Sequence, residues 1–321
     1  MSHCHRGGSR HAAGVTIAAS GISTGGLGLL AATTAAVLWS VATILYRRAG
    51  RVLPPVRMNL FRGIAAILLL GIVLAVESVR ADTNPLALSP HLLAWLALSG
   101  VVGIGGGDTC YFAALNRLGP RRTLLLFMLA PVLTALLAWP LFGEGLAFRQ
   151  IAGIALTCGG VTWVIAERTG GSDGHVDALG LTFAFGAAFC QAAGALTSRF
   201  VFDHADYGAA PSALIRIAAG VAVLIFALPL DRFLRDPGGR DAPRAAPWLT
   251  LLAATFLGTF LGIWLQQAAF KFSTHVGVAS TLLATSPLFV LPLVAMGGER
   301  VSPRAVTGAV IGVLGIAVLL V

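Results

Sequence analysis

Charge is scarce in this 321-residue chain: 11% of the residues are Asp, Glu, Lys or Arg, whereas 57% are hydrophobic. A soluble domain of this length could not hide that much apolar surface inside one core, so the composition excludes an ordinary globular protein. The mean hydropathy of +0.86 agrees. The chain is therefore predicted to have the lipid bilayer as its main solvent.

Cysteine is also scarce, with four residues in all. Cys110, Cys158 and Cys190 lie inside apolar segments, where they are expected to pack as small apolar side chains. The fourth belongs to His3-Cys4-His5, a terminal group with no further spaced ligands, so we expect no metal site there. No disulfide framework follows from this set.

Two sequence signals are missing as well. The chain has no G-x-x-x-x-G-K-[ST] phosphate loop, so nucleotide hydrolysis is not expected to drive it, and no cofactor is expected. Residues 1–25 lack a compact apolar region followed by a small-residue cleavage site. They are predicted to form a flexible tail that is not a cleaved signal.

What the chain does contain is a series of ten apolar segments. Each is long enough to cross about 30 Å of hydrocarbon as a helix at about 1.5 Å per residue. Prolines near their ends, such as Pro90 and Pro303, suit the first turn of a helix, and Gly119-Pro120 separates the third segment from the fourth. The predicted spans are 26–46, 56–77, 90–116, 121–143, 147–166, 176–199, 210–231, 246–270, 275–297 and 302–321.

The ten segments form two copies of a five-segment repeat, whose landmark residues return roughly 152 to 156 positions later. The matched residues are Gly28 and Gly180, Arg62 and Arg216, Gly103 and Gly258, Gly107 and Gly262, Pro131 and Pro287, Glu144 and Glu299, Gly153 and Gly308, and Gly160 and Gly315. The predicted organisation is a tail at 1–25, a first repeat at 26–166, a linker at 167–177 and a second repeat at 178–321.

An odd number of spans per repeat has a topological consequence. If one half enters the membrane from one face, the other enters from the opposite face, so the copies are related by an axis in the membrane plane. Inverted pairs of this kind suit alternating access to a site near the middle of the bilayer. We therefore predict an all-α integral membrane protein with ten transmembrane helices in two inverted-topology five-helix repeats.

The net charge of +9 arises mainly from arginines at span ends and in loops. This placement is typical of membrane topology signals, so a nucleic-acid partner is not expected. More arginines follow the odd-numbered spans than lie on the opposite side. Taken alone, the positive-inside rule places both termini outside the cytoplasm.

Asp108 is the one carboxylate deep inside a predicted span. An ionisable group at such depth costs about 2.5 to 3.5 kcal/mol unless it faces a cavity or a partner, so it is a candidate functional group. Tyr111 follows one helical turn later. Two interpretations stay open with equal weight: a helix-packing carboxylate bonded to neighbours such as Thr109 or an arginine, or a group that binds substrate or a proton.

Other polar and aromatic side chains occupy repeat-related positions in the spans. Trp39 and Gln191 match between the first and sixth spans, and Gln266 of the eighth matches Tyr111 of the third. Trp264 lies near Gln266. A lone Trp more often packs or anchors at an interface, so Gln191 is the stronger candidate, but all four are predicted to line a substrate cavity.

Arg62 and Arg216 lie inside the second and seventh spans. Snorkelling to the interface is one explanation, and the alternative is a counter-charge for Asp108 or for an anionic substrate. Their duplication favours an architectural role.

The order of motifs resembles the EamA-type transporters of the drug/metabolite transporter superfamily. The resemblance rests on Gly107-Asp108-Thr109, Ala130-Pro131-Val132, Leu141-Phe142-Gly143-Glu144 and Gly160-Val161, with a fainter second copy around Pro287 and Gly298-Glu299. It implies two inverted five-helix repeats around a central cavity, and export or exchange of small polar metabolites such as amino acids. It also implies cytoplasmic termini, in conflict with the arginine count, so orientation stays open.

The function predicted from these observations is secondary active transport of a small polar organic metabolite across the plasma or inner membrane, without enzymatic activity. The predicted partners are a small-molecule substrate, the bilayer, protons as a coupling ion and a second copy in a homodimer. Alternatives are a passive channel or scaffold, or a lipid-acting membrane enzyme. A single deep carboxylate without an intramembrane His cluster argues against the enzyme.

Overall fold

The computed structural model describes residues 24–50, 53–81, 86–142, 148–165, 177–227, 248–273, 276–296 and 302–320. The tail up to residue 23, Glu144, Glu299 and the linker up to residue 176 lie outside the described residues. Within the described ranges the regular elements are all helical. This confirms the predicted all-α class.

The described part of the first half contains six α-helices and one π-helical segment. These are α1 (Thr24–Ala49), α2 (Pro55–Ala81), α3 (Pro90–Gly100), π1 (Val101–Asp108), α4 (Thr109–Phe127), α5 (Leu129–Phe142) and α6 (Phe148–Ile165). The second half contains α7 (Ala178–His204), α8 (Ala209–Ala227), α9 (Trp248–Ala254), π2 (Thr255–Leu261), α10 (Gly262–Phe272), α11 (Val276–Leu283), α12 (Ser286–Met296) and α13 (Pro303–Leu320).

Seven helical stretches in the described part of the chain are long and apolar enough to cross a membrane. They are Gly25–Ala49, Pro55–Arg80, Pro90–Pro120, Arg122–Leu141, Ala178–His204, Ala209–Phe226 and Trp248–Phe272. Shorter helices occupy the remaining predicted spans: α6 the fifth, α11 with α12 the ninth, and α13 the tenth. The multi-pass character is thus established, whereas the count of ten spans stays a prediction.

Proline explains two breaks that occur at matching places in the two halves. Helix α4 ends at Phe127 and α11 ends at Leu283. The prolines Pro131 and Pro287 each follow four residues later, and a proline ring clashes with the carbonyl of the residue four positions before it. The proline in each half therefore favours a break of the helix at this site.

The two π-helical segments also match between the halves, and both contain repeat-related glycines, Gly103 in π1 and Gly258 in π2. π-Helical turns are rare and are found mostly at functional sites. They leave some backbone carbonyls free for other donors: Asn59 Nδ2 donates to Ile104 O at 2.8 Å, and Trp39 Nε1 donates to Gly258 O at 2.8 Å.

Small residues set the contacts between the halves, and these contacts come in related pairs. A Cβ built on Gly28 of α1 would lie 2.7 Å from Ser273 Oγ, and one built on Gly180 of α7 would lie 2.7 Å from Leu118 Cδ2. Gly28 matches Gly180 in the repeat, and Leu118 matches Ser273. Each half therefore packs the start of its first helix against the end of the third span of the other.

A second pair of contacts gives the direction of these helices. A Cβ on Gly258 would lie 2.6 Å from Ala42 Cβ, and one on Gly103 would lie 3.9 Å from Gly194 Cα. Along α1 the contacts advance from residue 28 to residue 42 while their partners run back from residue 273 to residue 258. Helix α1 is thus antiparallel to the π2 span, and by the same comparison α7 is antiparallel to the π1 span.

Helices α6 and α13 form a close backbone contact between the halves. A Cβ on Gly160 would lie 2.8 Å from Gly308 O, and one on Gly315 would lie 2.8 Å from Gly153 O. These four residues are two repeat pairs, so the contact is reciprocal. Such small residues let helix backbones approach closely within a membrane.

A hydrogen-bonded cap begins the second half. Asp177 Oδ1 accepts a hydrogen bond from Gly180 N at 2.9 Å and caps α7, while Arg117 Nε donates to Asp177 Oδ2 at 2.9 Å. The Gly180 amide first, and then Arg117, hold the pKa of the Asp177 carboxyl below its usual range. A lowered carboxyl pKa means that this cap stabilises the fold above about pH 4 and loses that effect in more acidic solution.

Gly119 interrupts the helix between the third and fourth predicted spans, as the sequence indicates. Its φ of 77° and ψ of 171° lie in a region that is essentially restricted to glycine. We expect Gly119→Ala to lower the free energy of unfolding by about 1 to 3 kcal/mol because alanine is strained there. Thermal unfolding in detergent measures this. Gly71→Ala is the control, since its Cβ meets nothing within 4 Å inside α2; equal stability of the two variants would contradict the explanation.

Candidate functional site

A cavity lies at the seam between the two halves, with walls contributed by α1, α2, π1, α4, α7, α8, π2, α10 and the break between α11 and α12. Its volume is about 80 Å³. One water needs about 10 to 15 Å³ by the same measure, so the cavity can hold several waters or part of a small organic molecule.

Both π-helical segments and both proline-associated breaks contribute to the cavity wall. Gly103 and Ile104 line it from π1, Gly258 lines it from π2, and Met128 and Ala284 line it at the two proline-associated breaks. Irregular backbone inside a membrane protein is tolerated where it lines a cavity or is buried in protein. The matched irregularities of the two halves thus converge on one site.

Asp108 stands at the end of π1 and faces this cavity. Its carboxylate forms an ion pair with Arg62 Nη2 of α2. The Arg62 side chain is 6% exposed, whereas 26% of the Asp108 side chain remains exposed. The negative charge of Asp108 is therefore balanced by a buried arginine, and the carboxylate is still reachable from the cavity.

Two neutral residues hold the Arg62 guanidinium in place. Asn59 Oδ1 accepts hydrogen bonds from Arg62 Nε at 3.1 Å and Nη2 at 2.8 Å, and Thr259 Oγ1 accepts one from Nη1 at 3.0 Å. Thr259 also shares a hydrogen bond with Tyr46, at 2.7 Å between the hydroxyl oxygens. Asn59 and Thr259 were not among the candidates from the sequence. A polar residue one turn before Arg62 is the signal that points to Asn59.

Arg216 has different surroundings, although it matches Arg62 in the repeat. Its Nη1 donates to Gln267 Oε1 at 2.5 Å, and Gln267 Nε2 donates to Ser212 Oγ at 2.5 Å. Its Nη2 lies 3.1 Å from the Cβ positions of both Gly103 and Gly194, which as glycines leave room for it. Arg216 is 1% exposed, so its charge is buried beside the cavity, not snorkelled to an interface.

The structure brings together most of the residues singled out in the sequence. Those that line the cavity are Trp39, Arg62, Asp108, Tyr111, Gln191, Arg216 and Gln266. Tyr111 shares a hydrogen bond with Thr43 of α1, at 2.8 Å between the hydroxyl oxygens. Both the first and the second half therefore supply side chains to one site.

Trp264 is the exception. It is not among the lining residues; its indole packs beside Phe260, with ring centroids 5.8 Å apart, at the edge of a buried apolar cluster. Its neighbours Ile263 and Gln266 line the cavity instead. The reason is helical geometry, because adjacent residues point about 100° apart around a helix.

A smaller cavity of about 20 Å³ adjoins the main one and shares Trp39 and Gln191 with it. Thr134 and Ser280 belong to this smaller cavity. The Trp39 side chain is fixed between the two by its hydrogen bond to Gly258 O. The walls of the two cavities are mostly apolar and aromatic, with polar groups at several points.

In the part of the chain that the structure describes, no group of three His, Cys, Asp or Glu side chains is placed to hold a metal ion. His3-Cys4-His5 lies outside the described residues.

The multi-pass helical fold and the internal polar cavity fit a membrane transporter, and comparison with known proteins supports this class. The model of the EamA-like transporter family matches residues 26–166 and again 178–321. The chain belongs to the EamA-like transporter family.

Two curated relatives also have transporter names. An uncharacterized transporter of Archaeoglobus fulgidus is 26% identical over 297 residues, which cover 92% of this chain and 98% of the relative. The uncharacterized transporter YyaM of Bacillus subtilis is 24% identical over 262 residues, covering 79% of this chain and 80% of its own. A protein of known crystal structure shares the fold, with a TM-score of 0.67 and 21% identity over 91% of this chain and 95% of its own.

Proposed function

We propose that this protein is a secondary active transporter that exports or exchanges a small polar organic metabolite, such as an amino acid, by alternating access. It acts in the plasma or inner membrane through ten spans arranged as two inverted five-helix repeats. The observation that carries the proposal is the cavity at the seam, whose wall includes interruptions at matching positions of both halves. Transporter binding sites are typically built from such discontinuous helices at a repeat interface.

The helix directions support the inverted arrangement. Helix α7 is antiparallel to the π1 span, as Gly180 beside Leu118 and Gly194 beside Gly103 indicate. With successive spans alternating in direction, the π1 span runs the same way as α1. Helices α1 and α7, the first helices of the two repeats, then cross the membrane in opposite directions.

The paired contacts support alternating access. The Gly28 to Ser273 contact and the Gly180 to Leu118 contact are made by the same repeat positions with the halves exchanged. A conformation in which the halves trade roles therefore has contacts of similar quality. In the proposed cycle, binding of a substrate or an ion shifts the balance between the two conformations.

Asp108 is proposed to couple transport to protons. It is the only acidic residue among the described residues that line the cavity, and part of its carboxylate remains accessible beside Arg62. Protonation would release Arg62 from the ion pair and change the electrostatic contact between α2 and π1. The movement of a proton could thereby be tied to the change of conformation.

Counterflow tests the proposed function. Proteoliposomes are loaded with single unlabelled amino acids and then given a trace of the same labelled compound outside. A carrier accumulates label transiently because unlabelled substrate inside occupies most of the sites that return to the outside, so little label leaves. At least one compound is expected to raise labelled uptake several-fold over empty vesicles and to show saturation. Uptake without saturation or stimulation by internal substrate across the panel would favour a passive channel or scaffold.

A further inference from the structure

The cavity wall has more positive than negative charge. Three of its described lining residues are charged: Arg62, Asp108 and Arg216. Arg62 and Asp108 form an ion pair, which cancels one charge of each sign. The remaining charge is that of Arg216, and no carboxylate lies within 4.0 Å of it among the described residues.

Arg216 is also incompletely hydrogen-bonded. Its Nη1 bonds Gln267, but its Nε is buried and has no hydrogen-bond partner. A guanidinium has five N–H donors and no acceptor, and a buried donor without a partner carries a desolvation cost. The protein therefore holds a fixed positive charge with an unused donor next to an internal cavity.

Gln266 supplies a second unused donor in the same cavity. Its side chain is 3% exposed, and its Nε2 is buried without a partner. Gln266 and Arg216 belong to different helices, α10 and α8, and both line the cavity. Two unpartnered donors and one uncompensated positive charge together fit a ligand group that has a negative charge and several acceptor atoms.

We propose that Arg216 and Gln266 bind the carboxylate of the transported molecule, so that the substrate is a small monocarboxylate with an apolar or aromatic body. This inference rests on the proposed transport function. One negative charge balances the single excess positive charge, whereas the dianion of a phosphate monoester would leave an excess negative charge. Arginine and an amide offer N–H donors to both carboxylate oxygens.

The remainder of the wall fits the body of such a molecule. Trp39, Phe127, Ile263, Leu283 and Ala284 line the cavity and are apolar or aromatic. Two helices also begin at this wall, α5 after Met128 and α12 at Ser286, and helix N-termini have a partial positive charge that favours anions. The cavity therefore offers apolar surface for the body of the ligand as well as the two N–H donors for its carboxylate.

Binding to the purified full-length protein in detergent tests this assignment with matched probes. The pairs are L-phenylalanine and L-phenylalaninamide, L-leucine and L-leucinamide, and 4-methylvalerate and its amide; phenyl phosphate is the dianion probe. In at least one pair the carboxylate is expected to bind about 10- to 100-fold more tightly than its amide, as a charged hydrogen-bonding group predicts.

Variants separate the roles of the two donors. Arg216→Gln is expected to reduce the preference for carboxylate over amide to within about twofold, because the charge is gone. Gln266→Leu keeps the charge and is expected to weaken carboxylate binding about tenfold. Arg80→Gln, an exposed arginine at the end of α2, is the control and should keep the wild-type preference. Size-exclusion chromatography verifies that each variant is folded. If Arg216→Gln does not fold, the binding data for Gln266→Leu decide whether the carboxylate site is correctly assigned.

Several outcomes would overturn the proposal: no carboxylate binds, amides bind as tightly as their acids, Arg216→Gln keeps the preference, or phenyl phosphate binds more tightly than every carboxylate. The test is independent of transport. Carboxylate binding without counterflow would support this site and contradict the transport function. Counterflow of one of the amides as fast as that of its acid would support the transport function and contradict this site.

Discussion

Asp108→Asn is expected to lower proton-coupled transport at least about 100-fold, equivalent to about 2.7 kcal/mol in the activation free energy, and to abolish its pH dependence. Asparagine fills the same space but neither binds nor releases a proton in the physiological range. Initial rates of uptake into proteoliposomes, measured with a substrate identified by counterflow between pH 5 and pH 8, provide the test.

The same substitution is expected to destabilise the protein. The Arg62 side chain is only 6% exposed, and the substitution removes its ion-pair partner. Breaking a buried ion pair by removing one member typically costs about 3 to 5 kcal/mol. Asp203→Asn is the matched control, since Asp203 is also paired with an arginine, Arg199, but its side chain is 41% exposed outside the cavity. Pairs of this exposed kind contribute only about 0 to 1 kcal/mol.

The double variant Arg62→Gln/Asp108→Asn separates the two roles proposed for this acid. It removes both charges, so it should regain much of the stability lost in Asp108→Asn. If Asp108 carries the proton, the refolded double variant still lacks pH-dependent transport. Wild-type transport and pH dependence in the double variant would instead establish Asp108 as a helix-packing carboxylate.

Gly160→Leu is expected to cost about 3 kcal/mol of stability, at the upper end of the range for overpacking. Its Cβ would lie 2.7 Å from Gly312 N and 2.8 Å from Gly308 O, and backbone atoms cannot move aside as a flexible side chain can. Helices α6 and α13 would have to separate along their contact. Thermal unfolding in detergent measures the loss.

The adjacent residue provides a matched control for this prediction. Gly159 lies on the same helix, and a Cβ there would meet nothing within 4 Å. Gly159→Leu should therefore retain nearly the wild-type melting temperature, with a small gain from better helix propensity. Similar melting temperatures for the two variants would show that the contact between α6 and α13 does not depend on small residues.

Much of the fold could be predicted because its causes are local. Apolar runs predict helices in a bilayer, and proline and glycine mark their ends, as Gly119 illustrates with its positive φ. The breaks inside the fourth and ninth predicted spans follow from Pro131 and Pro287, but their position next to the cavity does not. It depends on how distant helices pack.

The candidate site could be predicted less completely from the sequence than the fold. The charge of Asp108 and the repeat of Arg62 at position 216 identified residues that line the cavity. The sequence does not show which of the two arginines pairs with Asp108. The pairing with Arg62 depends on how the helices pack in three dimensions.

Trp264 and its repeat-related residue have similar surroundings, which only the structure reveals. Trp264 lies at the position that matches Thr109, whose hydroxyl accepts a hydrogen bond from Asn59. Thr109 is not among the described residues that line the cavity, and neither is Trp264. Aromatic character alone suggested a ligand contact, whereas the structure places Trp264 beside Phe260.

The central claim is that the two halves enter the membrane from opposite faces, and labelling of single cysteines tests it most directly. The four native cysteines are replaced by serine, and one cysteine is placed at Arg48 near the end of α1 or at Asp206 just after α7; both positions are exposed in the structure. A membrane-impermeant maleimide is then applied to intact cells and to inside-out vesicles. If the halves are inverted, the two positions react from opposite sides of the membrane. Reaction of both from the same side would contradict the inverted arrangement.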